Sequence, residues 1–329
     1  MSKSEIVREY IDKFGTMPKQ TLSRKLNHDM PEIFPTIENA RHVVRAVTGS
    51  KGKATRQKTK DKTYYDTDNL RKFFEFEDGE RFDIMPYELG KNVKKIIILN
   101  DPHIPYHDKN AILTALEFAS KKEVDAIILN GDVSDYYGIS RFIKDPRKRN
   151  LNYELDLTKQ FLRELRAFFP DKQIYYKEGN HEERWENYLK VAAPVLLDIN
   201  EFQLDVILQL ASLGIIYVKN KKLIKFGKLN ILHGHEYKGG GGGVNPARWL
   251  FLRTSANSCC GHFHRISQHI ERDVAGKQIG CWSMGCLSDL NPEYMPFNNW
   301  SQGFGYGEIL DDLGHFRFQN KMIENYKVV

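Results

Sequence analysis

The sequence predicts an α/β fold: a four-layer α-β-β-α sandwich of two packed mixed sheets, preceded by a small N-terminal helical module. Three observations lead there. From residue 93 onward, short apolar runs alternate with helical stretches. The first of these runs are apolar throughout, as strands covered on both faces are. Beyond residue 264 the pattern becomes β-rich. The expected organisation is a helical module over residues 1–48, a connecting segment over 49–92 and one large domain over 93–329.

Each element has a local reason. Ser4 to Phe14 carries Ile6, Val7, Tyr10, Ile11 and Phe14 at helical spacing, and Gly15 ends the stripe. A second helix is expected from about Pro18 over Leu22 and Leu26, and a third over 37–47 with Val43, Val44 and Val47 facing inward. Three short helices with Thr-Leu-Ser-Arg-Lys-Leu in the middle one have the layout of a helix-turn-helix module. Residues 49–63 hold six Lys/Arg, two Gly and almost no apolar side chains, the composition of a basic linker or arm. The aromatic stretch 64–87 is expected to pack onto the large domain. Strands are expected to end in Ile96–Leu99, Ala126–Leu129 and Ile174–Tyr176, with helices at 109–121 and 153–168 between them. Further strands follow at 214–218, 222–226, 228–233, 266–273, 277–284, 305–310 and 315–320, with Asp311-Asp312-Leu-Gly314 as a turn.

Charge is distributed unevenly. Residues 1–62 carry 14 Lys+Arg against 7 Asp+Glu, while the other 267 residues carry 35 against 36, so the whole net charge of +6 belongs to the N-terminal segment. Such a segment suits docking onto a polyanion. No apolar stretch approaches the ~18–20 residues that span a bilayer, and the N-terminus lacks a signal-like apolar segment, so a cytoplasmic protein with no membrane partner is expected. Cys259, Cys260, Cys281 and Cys286 then read as reduced core thiols; their spacing matches no common zinc site.

Five clusters of metal-ligating residue types stand in order between residues 101 and 264. They are Asp101-Pro-His103, Gly131-Asp132-Val-Ser-Asp135, Gly179-Asn180-His181-Glu182, His233-Gly-His235 and Gly261-His262-Phe-His264. The first four lie just past an apolar run, where a strand ends and a loop begins. Any one alone means little, because a single histidine at a strand end is more often a hydrogen-bonded or surface residue. Together they place carboxylates, imidazoles and an amide at one sheet edge, the donor set of a two-metal hydrolytic site.

In these blocks the chain resembles the calcineurin-like metallophosphoesterase superfamily over about residues 94–265. The resemblance implies Asp101, His103 and His264 on a first metal ion, Asn180, His233 and His262 on a second, and Asp132 bridging them. It implies His181 as the group that protonates or hydrogen-bonds the leaving oxygen, with Asp135 orienting its ring. The mixed donors suit two Mn²⁺ ions, with Fe or Zn as the other candidates. Two divalent ions less two carboxylates and a bridging hydroxide leave about one positive charge to meet a phosphate, and that hydroxide is the expected nucleophile. Because the histidines must be neutral to ligate, metal affinity and activity should fall as pH drops through their titration. Arg184, Arg141 and His235 are candidate substrate contacts, with a solvated helix face as the alternative for the arginines and a surface or supporting place for His235. The five glycines at 239–243 form a loop that could be mobile or let a large substrate approach.

The closing Gly261-His262-Phe-His264 resembles that of nucleases, phosphodiesterases and nucleotide hydrolases. Ser/Thr protein phosphatases share the Gly-Asn-His-Glu block, but their second block continues Arg-Gly where this chain has Tyr136-Tyr137. With the basic N-terminus, the expectation is a phosphodiesterase or nuclease acting on DNA or RNA. The alternatives are a phosphomonoesterase acting on phosphoprotein or nucleotide, and a catalytically silent nucleic-acid-binding protein.

Overall fold

The computed structural model describes residues 1–15, 17–49, 76–143, 145–148, 150–238, 243–293 and 295–329. Most of the basic stretch 49–63, the aromatic residues 64–75 and Gly239–Gly242 lie outside the described residues. The chain forms two compact units, Met1–Phe82 and Asp83–Val329.

The first unit holds helices α1 (Lys3–Phe14), α2 (Lys19–Asp29) and α3 (Ile37–Val47), as the apolar spacing predicts. Ser2 and Glu5 close a capping box on α1, and the Thr36 hydroxyl accepts from Asn39 N at 3.1 Å to start α3. Ile6, Val7, Ile11, Leu22, Leu26, Phe34, Ala40 and Val44 form the core of this unit. Of the three valines expected to face inward, Val44 is buried, while Val43 and Val47 are half-buried against the same cluster.

The second unit is built on two mixed sheets. In order, β1 is Tyr87–Glu88, β2 Lys95–Leu99, β3 Ala126–Asn130, β4 Gln173–Lys177, β5 Ile215–Val218, β6 Ile224–Phe226 and β7 Leu229–Leu232. They are followed by β8 Ser258–Cys260, β9 Ser267–Arg272, β10 Gln278–Ser283, β11 Gly303–Ile309, β12 Phe316–Glu324 and β13 Lys327–Val328. The seven-stranded sheet runs β13-β12-β11-β2-β3-β4-β5, and the six-stranded sheet runs β1-β6-β7-β8-β10-β9. Strands β2 to β5 are parallel neighbours, and so are β7 and β8.

Alternation along the parallel strands sets the layers. Ile97, Leu99, Ile127, Leu129, Ile174 and Tyr176 face outward, under α4 (Lys109–Lys122) and α5 (Leu151–Phe168). Their neighbours Ile96, Ile98, Ala126, Ile128 and Tyr175 face the other sheet and meet Ile224, Phe226, Leu229, Ile231 and Cys259 there. Both faces are thus covered, which is why these runs lack polar alternation. Shorter helices α6 (Glu182–Ala192) and α7 (Leu204–Ile207) follow β4. On the far side of the smaller sheet, Leu250 of α8 (Pro246–Thr254) packs with Leu232, Cys260 and Cys281, completing the four layers. All four cysteines are free and buried, as expected.

Two parts of the sequence reading need correcting. The aromatic connecting segment joins the sheet through Tyr87–Glu88, which pairs with β6, but Phe82, Ile84 and Met85 remain exposed. Among the described residues of this segment, packing begins at the strand. The Ser-Cys-Cys strand β8 and helix α8 were also not expected; three small residues carry no apolar run, and β8 is held by parallel neighbours on both sides. Among the described residues, no helix is long and apolar enough to cross a membrane.

Candidate metal centre

All five clusters sit at the C-terminal ends of strands. Asp101 and His103 follow β2, Asp132 follows β3, Asn180 and His181 follow β4, His233 follows β7, and His262 and His264 follow β8. The first three strands belong to the larger sheet and the last two to the smaller one. The side chains therefore converge where the ends of both sheets meet. Asn130 stitches that junction: its Nδ2 donates to Asn100 Oδ1 at 2.9 Å and to Leu232 O at 2.8 Å, and its carbonyl accepts from His233 Nδ1 at 2.7 Å.

The turns are tight and strained. Asp101, His103, Asp132, His262 and His264 all have φ between 50° and 64°, in the left-handed region that ordinary side chains avoid. Gly131 also has positive φ, and a Cβ there would come within 2.5 Å of His233 Nδ1. Backbone amides then fix the carboxylates. Asp132 Oδ1 accepts from His181 N at 2.8 Å, and Asp101 accepts from His262 N at 3.0 and 3.2 Å. The free lone pairs are turned to the centre.

Among the described residues three groups of donor atoms result: Asp101, His103 and His264; His103, Asp132 and His181; and Asp132, His233 and His262. His103 Nε2 and His264 Nε2 lie 3.1 Å apart, and His233 Nε2 lies 3.1 Å from Asn180 Oδ1. Asp132 Oδ2 is 3.3 Å from His233 Nε2 and 3.8 Å from His103 Nε2, between the two halves. Two imidazole nitrogens facing each other beside carboxylates form a donor set that a cation satisfies. The hydrogen bonds of His103 Nδ1 to Asp135 and of His233 Nδ1 to the Asn130 carbonyl leave each Nε2 free to ligate. The donor set thus fits a pair of metal ions.

Electrostatics agree. Burial opposes the Asp132 charge, but His181 and His233 hold its carboxyl well below the ordinary range. Burial alone would lower His233, yet Asp132 and Asp101 lift it to about 10. Burial and the neighbouring His233 push His262 down to about 4. The carboxylates that raise His233 favour a proton or a cation at the same place. A cation must displace the proton, so acid weakens metal binding, the sign expected from the sequence.

His181 lies beside this centre. Its Nδ1 is 2.8 Å from Asp135 O and 3.2 Å from Asp135 Oδ1, while Arg184 Nη2 reaches its Nε2 at 2.7 Å. Burial opposes the charged ring, but Asp132 and Asp135 together raise its pKa. Asp135 also bridges to His103 Nδ1 at 3.2 Å, so it orients two rings. Arg184 is turned inward onto Asp135 and His181 rather than lying on a solvated helix face. Arg141 is exposed and stacks on Phe142 at 5.4 Å. His235 is half-buried beside His233, with rings 5.2 Å apart, and its Nε2 is 2.9 Å from Glu183.

Sequence reasoning assigned no role to Glu182, although it closes the third block. Its carboxylate accepts the N–H groups of Asp132, Val133 and Gly179 at 2.8–2.9 Å and the Tyr176 hydroxyl at 2.8 Å. Asn100 and Asn130 were missed too; their only signal is a polar residue ending an apolar strand.

A sequence model of the calcineurin-like phosphoesterase family matches residues 94–265. The Gene 54 proteins of Mycobacterium phages D29 and L5 are each 26% identical to this chain, over 231 and 230 residues. These alignments cover 64% of this chain and 88% and 87% of the phage proteins. Among solved structures, Vacuolar Protein Sorting 29 from Cryptosporidium parvum aligns with a TM-score of 0.38 at 13% identity, covering 72% of this chain and 95% of its own. The E. coli phosphoesterase Yfce aligns with a TM-score of 0.32 at 13% identity, covering 69% and 98%.

Proposed function

This chain belongs to the calcineurin-like phosphoesterase family of metal-dependent phosphoester hydrolases, and from that premise we propose that it is a phosphodiesterase cutting DNA or RNA. The observation that carries the nucleic-acid reading is the charge distribution: the whole +6 excess lies in residues 1–62, ahead of a phosphoesterase unit of nearly balanced charge.

In this reading Asp101, His103 and His264 hold one ion, Asn180, His233 and His262 the other, and Asp132 bridges. Manganese is the proposed metal, from the mixture of imidazole, carboxylate and amide donors. Two such ions supply charge to hold a phosphate and activation of the attacking water. Arg184 is the proposed contact to a phosphoryl oxygen, supported by its place beside His181. Once Arg184 engages phosphate, His181 Nε2 becomes the atom that can hand a proton to the leaving oxygen, while the Asp135 carbonyl holds Nδ1 at 2.8 Å. His235 and Arg141 are proposed as outer contacts to a longer substrate.

Docking falls to the first unit. A four-residue connector containing Gly15 joins α1 to α2, the spacing of a helix-turn-helix pair, whereas seven residues join α2 to α3. Helix α2 exposes Gln20, Thr21, Arg24 and His28. Removing residues 1–62 should leave hydrolysis of a small diester nearly unchanged and weaken polynucleotide binding. The salt dependence of binding should flatten by about 0.9 log unit per log unit of salt for each duplex phosphate that is no longer neutralised. Fluorescence anisotropy across a salt series measures this. Equal loss on small diester and polynucleotide would contradict the docking role.

A further inference from the structure

The His233-Gly-His235 turn rests on a buried ion pair that the chemistry above does not use. Lys177, the last residue of β4, is fully buried; its Nζ lies 2.7 Å from Glu236 Oε1 and donates to Lys222 O at 3.0 Å. The two Glu236 oxygens accept the N–H groups of His233 at 2.9 Å and Gly234 at 2.7 Å. The carboxylate thus ties down the backbone that carries His233 and is itself fixed to the adjoining sheet.

The turn has little room to shift. Gly234 has φ of 129°, and a Cβ there would come within 2.9 Å of His262 Cβ, so the turn is seated against a second member of the same half of the site. On its outer side His235 Nε2 meets Glu183, which also pairs with Lys221 at 3.2 Å. A buried ion pair is seldom the most stable filling for a protein interior; apolar replacements of similar volume are often neutral or better. Its geometric effect here is specific: it orients the main chain beneath one metal arm.

We propose that the Lys177–Glu236 pair is a positioning unit for the Asn180/His233/His262 half of the centre, with Glu236 the positioning residue and Lys177 its anchor. The assignment rests on the two-metal reading. Hydrogen-bonded supports behind metal ligands commonly alter affinity by about 10–100-fold when removed.

The test is Mn²⁺ titration by calorimetry, with bound metal counted after dialysis, on the full chain, Glu236→Gln and the double variant Lys177→Met/Glu236→Gln. The wild-type chain should bind two Mn²⁺. Glu236→Gln should keep one tight ion and bind the second at least about tenfold more weakly. The double variant removes the unpaired lysine, so the metal-free protein should melt at or near the wild-type temperature. Its second ion should nevertheless remain weak. Native affinity for both ions in Glu236→Gln would overturn the proposal, and so would full recovery in the double variant, which would trace the loss to an unpaired charge alone. A wild-type chain that binds fewer than two Mn²⁺ would overturn the two-metal reading and this assignment with it.

Discussion

Asp132→Asn is expected to reduce bound metal from two ions to at most one and to abolish measurable turnover. The carboxylate lies between the two halves of the donor set, with Oδ2 3.3 Å from His233 Nε2 and 3.8 Å from His103 Nε2. An amide removes the negative charge and replaces one oxygen with a donor that points hydrogens at a cation. Metal-derived charge stabilisation is worth several kcal/mol in such sites. At about 1.4 kcal/mol per factor of ten, losing it slows the reaction by about a thousandfold or more. The fold should survive, because the amide oxygen can still accept from His181 N. Metal counting, circular dichroism and steady-state kinetics on one preparation separate these effects. Retained metal and turnover would remove Asp132 from the bridging role.

Glu182→Ala is expected to have the largest effect on stability. This buried side chain accepts four hydrogen bonds, three of them from the backbone of the Asp132 and Asn180 turns. Four donors on two oxygens fill a carboxylate and leave no place for a proton. Burial and the Asp132 charge push its pKa up, and these donors act in the opposite direction, favouring the carboxylate. Truncation leaves three buried N–H groups and the Tyr176 hydroxyl without partners, at about 1–3 kcal/mol each. A total loss of about 4 kcal/mol or more is expected from urea unfolding of the metal-free protein, together with loss of metal affinity. A change below about 1 kcal/mol would mean that water replaces the carboxylate and that the turns hold their own shape.

Legibility in the sequence followed physical locality. The Ile96–Leu99 and Ala126–Leu129 runs announced buried parallel strands because both faces are covered. The order of the five clusters announced a shared strand-end edge, and all seven proposed ligands do meet there. What escaped depended on contacts between distant segments. Glu236 and Lys177 stand 59 positions apart, and nothing local distinguishes them from surface charges. Asn130 is an ordinary strand end until β7 is set beside it. Arg184, at helical spacing on an apparently solvated face, is drawn inward by Asp135 and His181. The Ser-Cys-Cys strand β8 has no periodicity at all and exists through its neighbours.

The phosphodiesterase reading is tested most directly by what the centre hydrolyses. With Mn²⁺ present, initial rates on bis-p-nitrophenyl phosphate and on p-nitrophenyl phosphate should be compared for the full chain, with Asp132→Asn as the blank. A clear preference for the diester, absent from the blank, is the predicted result. Preference for the monoester would contradict the phosphodiesterase reading and remove the case for residues 1–62 as a nucleic-acid dock.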